Sequence, residues 1–125
     1  MMRAMLPARH ISISIARAWR EVYDFACLPD NLAKWAAGLD AAAQVSVTPR
    51  NDYGVIDHDV TLPDGAVVHV PLRVLANGEG AEVVFTLFQL PQMTVADVDR
   101  DAAAVAADLR TLKELLEKRP PRRRR

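Results

Sequence analysis

A chain of 125 residues, half of them apolar and a quarter charged, is long enough for one domain with its own hydrophobic core, without disulfides or metal. Its single cysteine, Cys27, excludes an internal disulfide and every multi-cysteine metal motif, and fits a reducing compartment such as the cytoplasm. The net charge of zero is uneven: Arg119 and Arg122 to Arg125 hold five of the 16 positive charges, so residues 1–118 carry eleven positives against sixteen negatives, an acidic body that excludes a broad nucleic-acid footprint.

The opening MMRAMLPARH carries Arg3 and Arg9 but no apolar run of signal-peptide length. Nothing later approaches the roughly 20 apolar residues of a membrane span, so neither export nor membrane insertion is expected. His10 to Ile15 alternates Ile with Ser, the pattern of a half-buried strand. From Arg17 to Leu28 the period changes to that of a helix, with Val22, Phe25 and Ala26 on one face. Pro29 stops that helix and opens the next, in which Leu32, Trp35 and Ala36 recur before Gly38, a residue suited to a C-terminal cap.

Ala43, Val45 and Val47 alternate with polar residues, and the turn from Pro49 to Gly54 leads to a second run, Val55 to Leu62. The turn around Asp64 and Gly65 then returns the chain into a single strand carrying Val68, Val70, Leu72 and Val74 on one face. Keeping both apolar faces together sets Leu62 against Ala66, His58 against Val70 and Val60 against Val68, with Asp59 facing His69 outside. Asn77-Gly78 signals another hairpin, and a two-residue loop there places Leu72 opposite Val83, Val70 opposite Phe85 and Arg73 opposite Glu82. Pro91 to Lys118 closes the chain as a long helix, because Val98, Ala102, Val105, Leu109, Leu112 and Leu116 form one stripe.

One strand, two short helices, four strands in a meander and a long helix make an α+β domain, with the helix held on the concave side of a curved antiparallel sheet. Residues 1–118 are expected to form this single domain. Residues 119–125, RPPRRRR, cannot bury apolar surface and are expected to be disordered.

The stretch ISISIARAWREVYDFACLPDNLAKWAAGL, with EVYDF after a strand, then a proline turn and a tryptophan, resembles the opening of the START-related, polyketide cyclase and lipid-transport superfamily (SRPBCC). AADLRTLKELLE, from Ala106 to Glu117, is similar to endings found there. The resemblance covers most of residues 10–118. It implies a helix-grip fold, β-α-α-β(4)-α in this chain, around a cavity for lipids, polyketides, hormones or other apolar molecules. Ala18 stands where many relatives carry proline. The sheet is also shortened, with four strands after the helices instead of about six, so a reduced cavity is expected, at the low end of the roughly 300 to 1,000 Å³ of ligand pockets.

Among candidate site residues His58 is the most informative, since its parity sets it on the inward face with Ile56, Val60 and Leu62. There it can hydrogen-bond a ligand or move a proton, or it can be a core histidine satisfied by backbone. Asp57 and Asp59 point outward by alternation, so no carboxylate pair converges on substrate. The histidines 10, 58 and 69 lack ligand spacing and His58 and His69 point opposite ways; no metal site, nucleotide site or cofactor is expected. Cys27, on an apolar helical face, reads as a buried thiol.

Three functions remain open. The first is a noncatalytic module binding an apolar small molecule, with His58 as anchor. Its walls are Val60, Val70, Leu72, Phe85, Leu87, Val105 and Leu109, and Trp35 and Tyr53 shape the pocket. The second is a cyclase or dehydratase with His58 as catalytic acid-base group and Tyr53 assisting; it needs a second converging polar group. The third is an interaction protein with a filled core. The first strand, with three isoleucines and no charge between Ile11 and Ile15, is a poorly protected sheet edge and predicts a homodimer.

Overall fold

The computed structural model describes residues 5–36 and 44–120. In chain order the elements are β1 (Ala8–Ile15), α1 (Trp19–Ala26), α2 (Pro29–Trp35), β2 (Gln44–Val47), β3 (His58–Thr61), β4 (Val67–Val70), β5 (Leu72–Asn77), β6 (Gly80–Phe88) and α3 (Val95–Glu117).

Pro71 decides how the sheet bends. The sequence predicts one strand through it, but proline has no N–H to continue the ladder, and β4 ends where β5 begins. Two three-stranded antiparallel sheets result, ordered β2-β3-β4 and β1-β6-β5. They remain joined through Pro71 and through backbone bonds from Ile56 to Leu72 (2.8 Å), Val74 to Gly54 (2.8 Å) and Thr86 to Pro71 (3.0 Å). The parity survives the bend: Val70, Leu72 and Val74 are buried while His69 and Arg73 are exposed.

The β3–β4 hairpin has the expected register, His58 opposite Val70, Asp59 opposite His69 and Val60 opposite Val68, with Gly65 at φ 89° in its loop. The β5–β6 hairpin does not. Asn77 pairs with Gly80, so the two-residue loop is Gly78-Glu79, and Leu72 faces Phe85, Val74 faces Val83 and Arg73 faces Val84. Gly78, at φ 57°, takes the first central position, the one a type II′ turn reserves for glycine. Each partner moves by two residues from the expected register, and because the side-chain period is also two, the apolar face stays inward.

Helix ends follow local chemistry. Pro29 begins α2 at its first turn, and the helix closes on Ala36; Gly38 and Ala43 lie outside the described residues. α3 starts at Val95 instead of Pro91, since the Thr94 side chain accepts from the Asp97 N–H (3.1 Å) and Asp97 accepts from the Thr94 N–H (2.9 Å), a capping box. Its far end is tied to β1: Glu117 accepts from the Ala16 N–H (2.8 Å) and Lys113 (2.7 Å), and Arg17 donates to the carbonyls of Glu117 (2.9 Å) and Arg119 (2.6 Å). The Arg119 guanidinium also lies 5.1 Å over the Phe25 ring. Arg119 is therefore docked on the domain and does not begin a tail; residues 121–125 lie outside the described residues.

The filled core lies at this end. Val22 and Tyr23 of α1 and Leu112 and Leu116 of α3 have no exposure, and Ile15, Leu72, Val74 and Val83 close around them. The Tyr23 hydroxyl accepts from the Asn51 N–H (2.8 Å), and the ion pairs Arg50 with Asp24 and Arg20 with Asp52 (3.1 Å) hold the same loop against α1.

Candidate functional site: an apolar cavity beneath the long helix

Toward the N-terminal half of α3 the helix and sheet separate around a cavity of about 290 Å³. Two features leave it open: α3 presents the small Ala104 and Val105 here, and β4 and β5 part into separate sheets at Pro71; α2 then closes the side with Leu32, Trp35 and Ala36. The volume is at the low end of the ligand-pocket range, although five strands, not the expected four, follow the two short helices because Pro71 divides one of them.

The structure places Trp35, His58, Val60 and Val70 on the cavity wall, together with Phe85 and Leu87 from β6 and Val105 and Leu109 from α3. Two expected members stand elsewhere. Tyr53 is 82% exposed: its N–H donates to Asn51 Oδ1 (2.9 Å) in a turn that aims the ring at solvent. Leu72 faces inward but is 1% exposed within the filled core, because α1 covers β5 where the cavity covers β4.

Sequence reasoning did not find Asp101 and Asp108, which line the cavity from α3. They were readable as a pair seven residues apart, two helical turns, with Ala104 and Val105 between them. They flank the apolar stripe and so look like a solvated face. Leu32, Ala36, Leu62 and Val68 complete the wall.

His58 is 7% exposed, and its Nδ1 lies 2.9 Å from the Ile56 carbonyl oxygen. A carbonyl only accepts, so Nδ1 carries the hydrogen and Nε2 of the neutral ring is left as an acceptor. Burial pushes the His58 pKa below its usual value, opposed in part by that backbone bond and by Asp57 and Asp59. Nε2 has no hydrogen-bond partner among the described residues. Trp35, 3% exposed, has a buried indole N–H that is likewise unpartnered among them.

The outward carboxylates serve the scaffold. Asp57 accepts from the Leu72 N–H (2.9 Å) and from Arg73 Nε (2.8 Å) and Nη2 (2.7 Å); the Arg73 hydrogen bonds hold its carboxyl below the usual range. Asp59 meets His69 at 2.8 Å. Cys27 is half-buried, not enclosed, with Arg50 Nη1 3.5 Å from its sulfur. Among the described residues no group of three or more His, Cys, Asp or Glu is placed to hold a metal, and no helix is long and apolar enough to cross a membrane.

No protein-family model and no curated protein sequence matches the chain. Solved structures do. CalU16 from Micromonospora echinospora is 12% identical over 90% of this chain and 76% of its own, with a TM-score of 0.69. DynU16, encoded in the dynemicin biosynthetic locus, is 16% identical over 88% of this chain, which spans only 47% of DynU16; the TM-score is 0.65. An AHSA1-like protein from Rhizobium etli is 17% identical over 100% of this chain and 95% of its own, with a TM-score of 0.59. At these identities the likeness is one of fold: an antiparallel sheet bent around a long C-terminal helix, a helix-grip fold.

Proposed function

We propose that this chain is a binding module for a small apolar molecule, held between α3 and the inner faces of β3, β4 and β6 with His58 as its polar anchor. The observation that carries this reading is the cavity of about 290 Å³, walled by aliphatic and aromatic side chains and a buried imidazole with one nitrogen unpartnered among the described residues. Such a surface takes an apolar body and orients it by one or two hydrogen bonds. A cavity of roughly 150 Å³ accommodates benzene, so this one suits about two fused rings or a short chain of equal bulk. Trp35, Val60, Val70, Phe85, Leu87, Val105 and Leu109 are the proposed contacts. 2-Naphthol, whose hydroxyl can donate to His58 Nε2, is a direct probe. Saturable binding should perturb the amide resonances of Trp35, Val70 and Leu109, and His58→Leu should weaken it by roughly 2- to 12-fold, the worth of one neutral hydrogen bond. Absence of saturable binding by any naphthalene-ring probe overturns the reading.

A second reading, acid-base catalysis on a bound ligand, draws support from Asp101 and Asp108, which share the cavity with His58. Tyr53 has no part in it. A bicyclic ketone, 2-tetralone, should then exchange its α-protons in D₂O faster with the protein than without, and His58→Ala should abolish the gain. An exchange rate equal to the buffer's removes the catalytic reading. Self-association is also proposed: β1 ends its sheet, with no second neighbouring strand among the described residues. Light scattering that shows only monomer at high micromolar concentration overturns it.

A further inference from the structure

Trp35 lines the cavity as an apolar wall, yet it carries a polar group that a wall does not need. It is the last residue of α2, 3% exposed, and its indole N–H is buried with no hydrogen-bond partner among the described residues. Native interiors pair the large majority of such groups, because a buried orphan gives up its hydrogen bond to water for nothing. The surrounding helices follow that rule. Asn31, one turn back on α2, donates to the Phe25 carbonyl (3.0 Å), and the Tyr23 hydroxyl on α1 accepts from the Asn51 N–H (2.8 Å). The other orphan among the described residues, Arg17 Nε, belongs to a guanidinium that donates to the carbonyls of Ala16, Glu117 and Arg119, at the far end of α3. Neither Asp101 nor Asp108, the carboxylates on the α3 wall, accepts from Trp35. A phenylalanine would cover the same core and leave no donor behind.

Resting on the binding reading above, we propose that Trp35 is the second polar anchor of the cavity, and that the ligand is an uncharged small ring system whose hydrogen-bond acceptor, a ring nitrogen or carbonyl oxygen, takes the indole N–H. His58 sets the complementary demand, since its Nε2 accepts and calls for a ligand donor. The two groups come from different walls, Trp35 from α2 and His58 from β3. About two fused six-membered rings carrying one acceptor and one donor leave neither group orphaned on binding, whereas a plain hydrocarbon of the same outline leaves both.

Naphthalene, quinoline and isoquinoline test this at pH 7, because they share one outline and differ only in whether, and where, an accepting nitrogen replaces a CH group. The chain has two tryptophans, and Trp19 on α1 does not line the cavity, so its indole N–H resonance is an internal reference. Trp35→Phe removes one of the two resonances and so assigns the other. At least one of the two nitrogen probes should move the Trp35 indole proton downfield of its position with naphthalene bound, and leave that of Trp19 in place. Trp35→Phe should weaken that probe by roughly 2- to 12-fold relative to naphthalene, the worth of one neutral hydrogen bond. His58→Leu should keep the same probe within about 2-fold and weaken 2-naphthol instead. The resonance measurement uses the unsubstituted chain, so it decides the matter even where Trp35→Phe does not fold. Saturation by naphthalene with no downfield shift from either nitrogen probe overturns the role of Trp35 and leaves the binding module standing; so does an equal loss of all three in Trp35→Phe. Failure of all three, and of 2-naphthol, to saturate overturns both.

Discussion

Filling the cavity and overfilling the core should give opposite results on a single helix. Val105 is half-buried on the cavity wall, and Leu112, two turns further along α3, has no exposure in the filled core. Val105→Phe adds four carbons to a place with room for them. At about 0.8 kcal/mol per buried methylene the gross gain reaches roughly 3 kcal/mol, and imperfect rotamers offset about 1 to 3 kcal/mol of it. The net change should be a stabilisation of about 0 to 2 kcal/mol. Leu112→Phe adds three carbons where Val22, Tyr23 and Leu116 already close the space, so the overpacking cost of about 1 to 3 kcal/mol or more stands uncompensated. Urea unfolding reads the difference as a shift in midpoint at constant slope. The same Val105→Phe chain should bind 2-naphthol at least roughly 10-fold more weakly, since the ring takes the ligand's place. A loss above about 3 kcal/mol in Val105→Phe would falsify the open floor between α3 and the sheet. A stable variant that binds 2-naphthol undiminished shows that the probe sits somewhere else.

His58 is buried as the neutral ring, so the folded protein takes up its proton at lower pH than the unfolded chain, whose imidazole titrates near pH 6.5. The unfolded state then holds more protons below that value, and stability should fall as pH drops through it toward the folded midpoint, a slope His58→Leu should lack. A His58 ring resonance titrating at or above pH 6.5 contradicts the burial argument. Asp57, its pKa lowered chiefly by the Arg73 hydrogen bonds, contributes stability that is present above the unfolded value near 3.9 and lost as pH falls through the folded one. Asp57→Asn should cost about 1.5 to 3 kcal/mol at pH 7 and flatten the acid limb of the stability profile; equal stability at pH 7 refutes a role for the pair in joining β3 to β5. Gly54→Ala should be severe, since at φ 74° its new Cβ would sit 2.2 Å from the Val74 carbonyl oxygen, whereas Gly65→Ala, at φ 89° with nothing within 4 Å, should cost only about 1 to 2 kcal/mol. Thermal melts that rank the two alike refute the close approach at Gly54.

Alternation alone assigns His58 an inward face and Asp57 and Asp59 an outward one, because a strand side chain has only two directions to take. Likewise the stripe from Val98 to Leu116 fixes which side of α3 is covered, and Pro29 fixes where one short helix yields to the next. These are local consequences of period and backbone stereochemistry, and they suffice for the helix-grip order of elements. Finer local chemistry was present but easily misread: Thr94 and Asp97 cap α3 four residues after Pro91, and Gly78-Glu79 turns the hairpin where Asn77-Gly78 looked sufficient. Only the tertiary structure decided which inward side chains meet empty space. Val70 and Leu72 share a face across Pro71, yet one lines the cavity and the other is sealed under α1. Asp101 and Asp108 flank the apolar stripe, and whether they face water or a cavity depends on how far α2 and β4 stand from α3. That distance is set by packing between elements dozens of residues apart, which no period along the chain records.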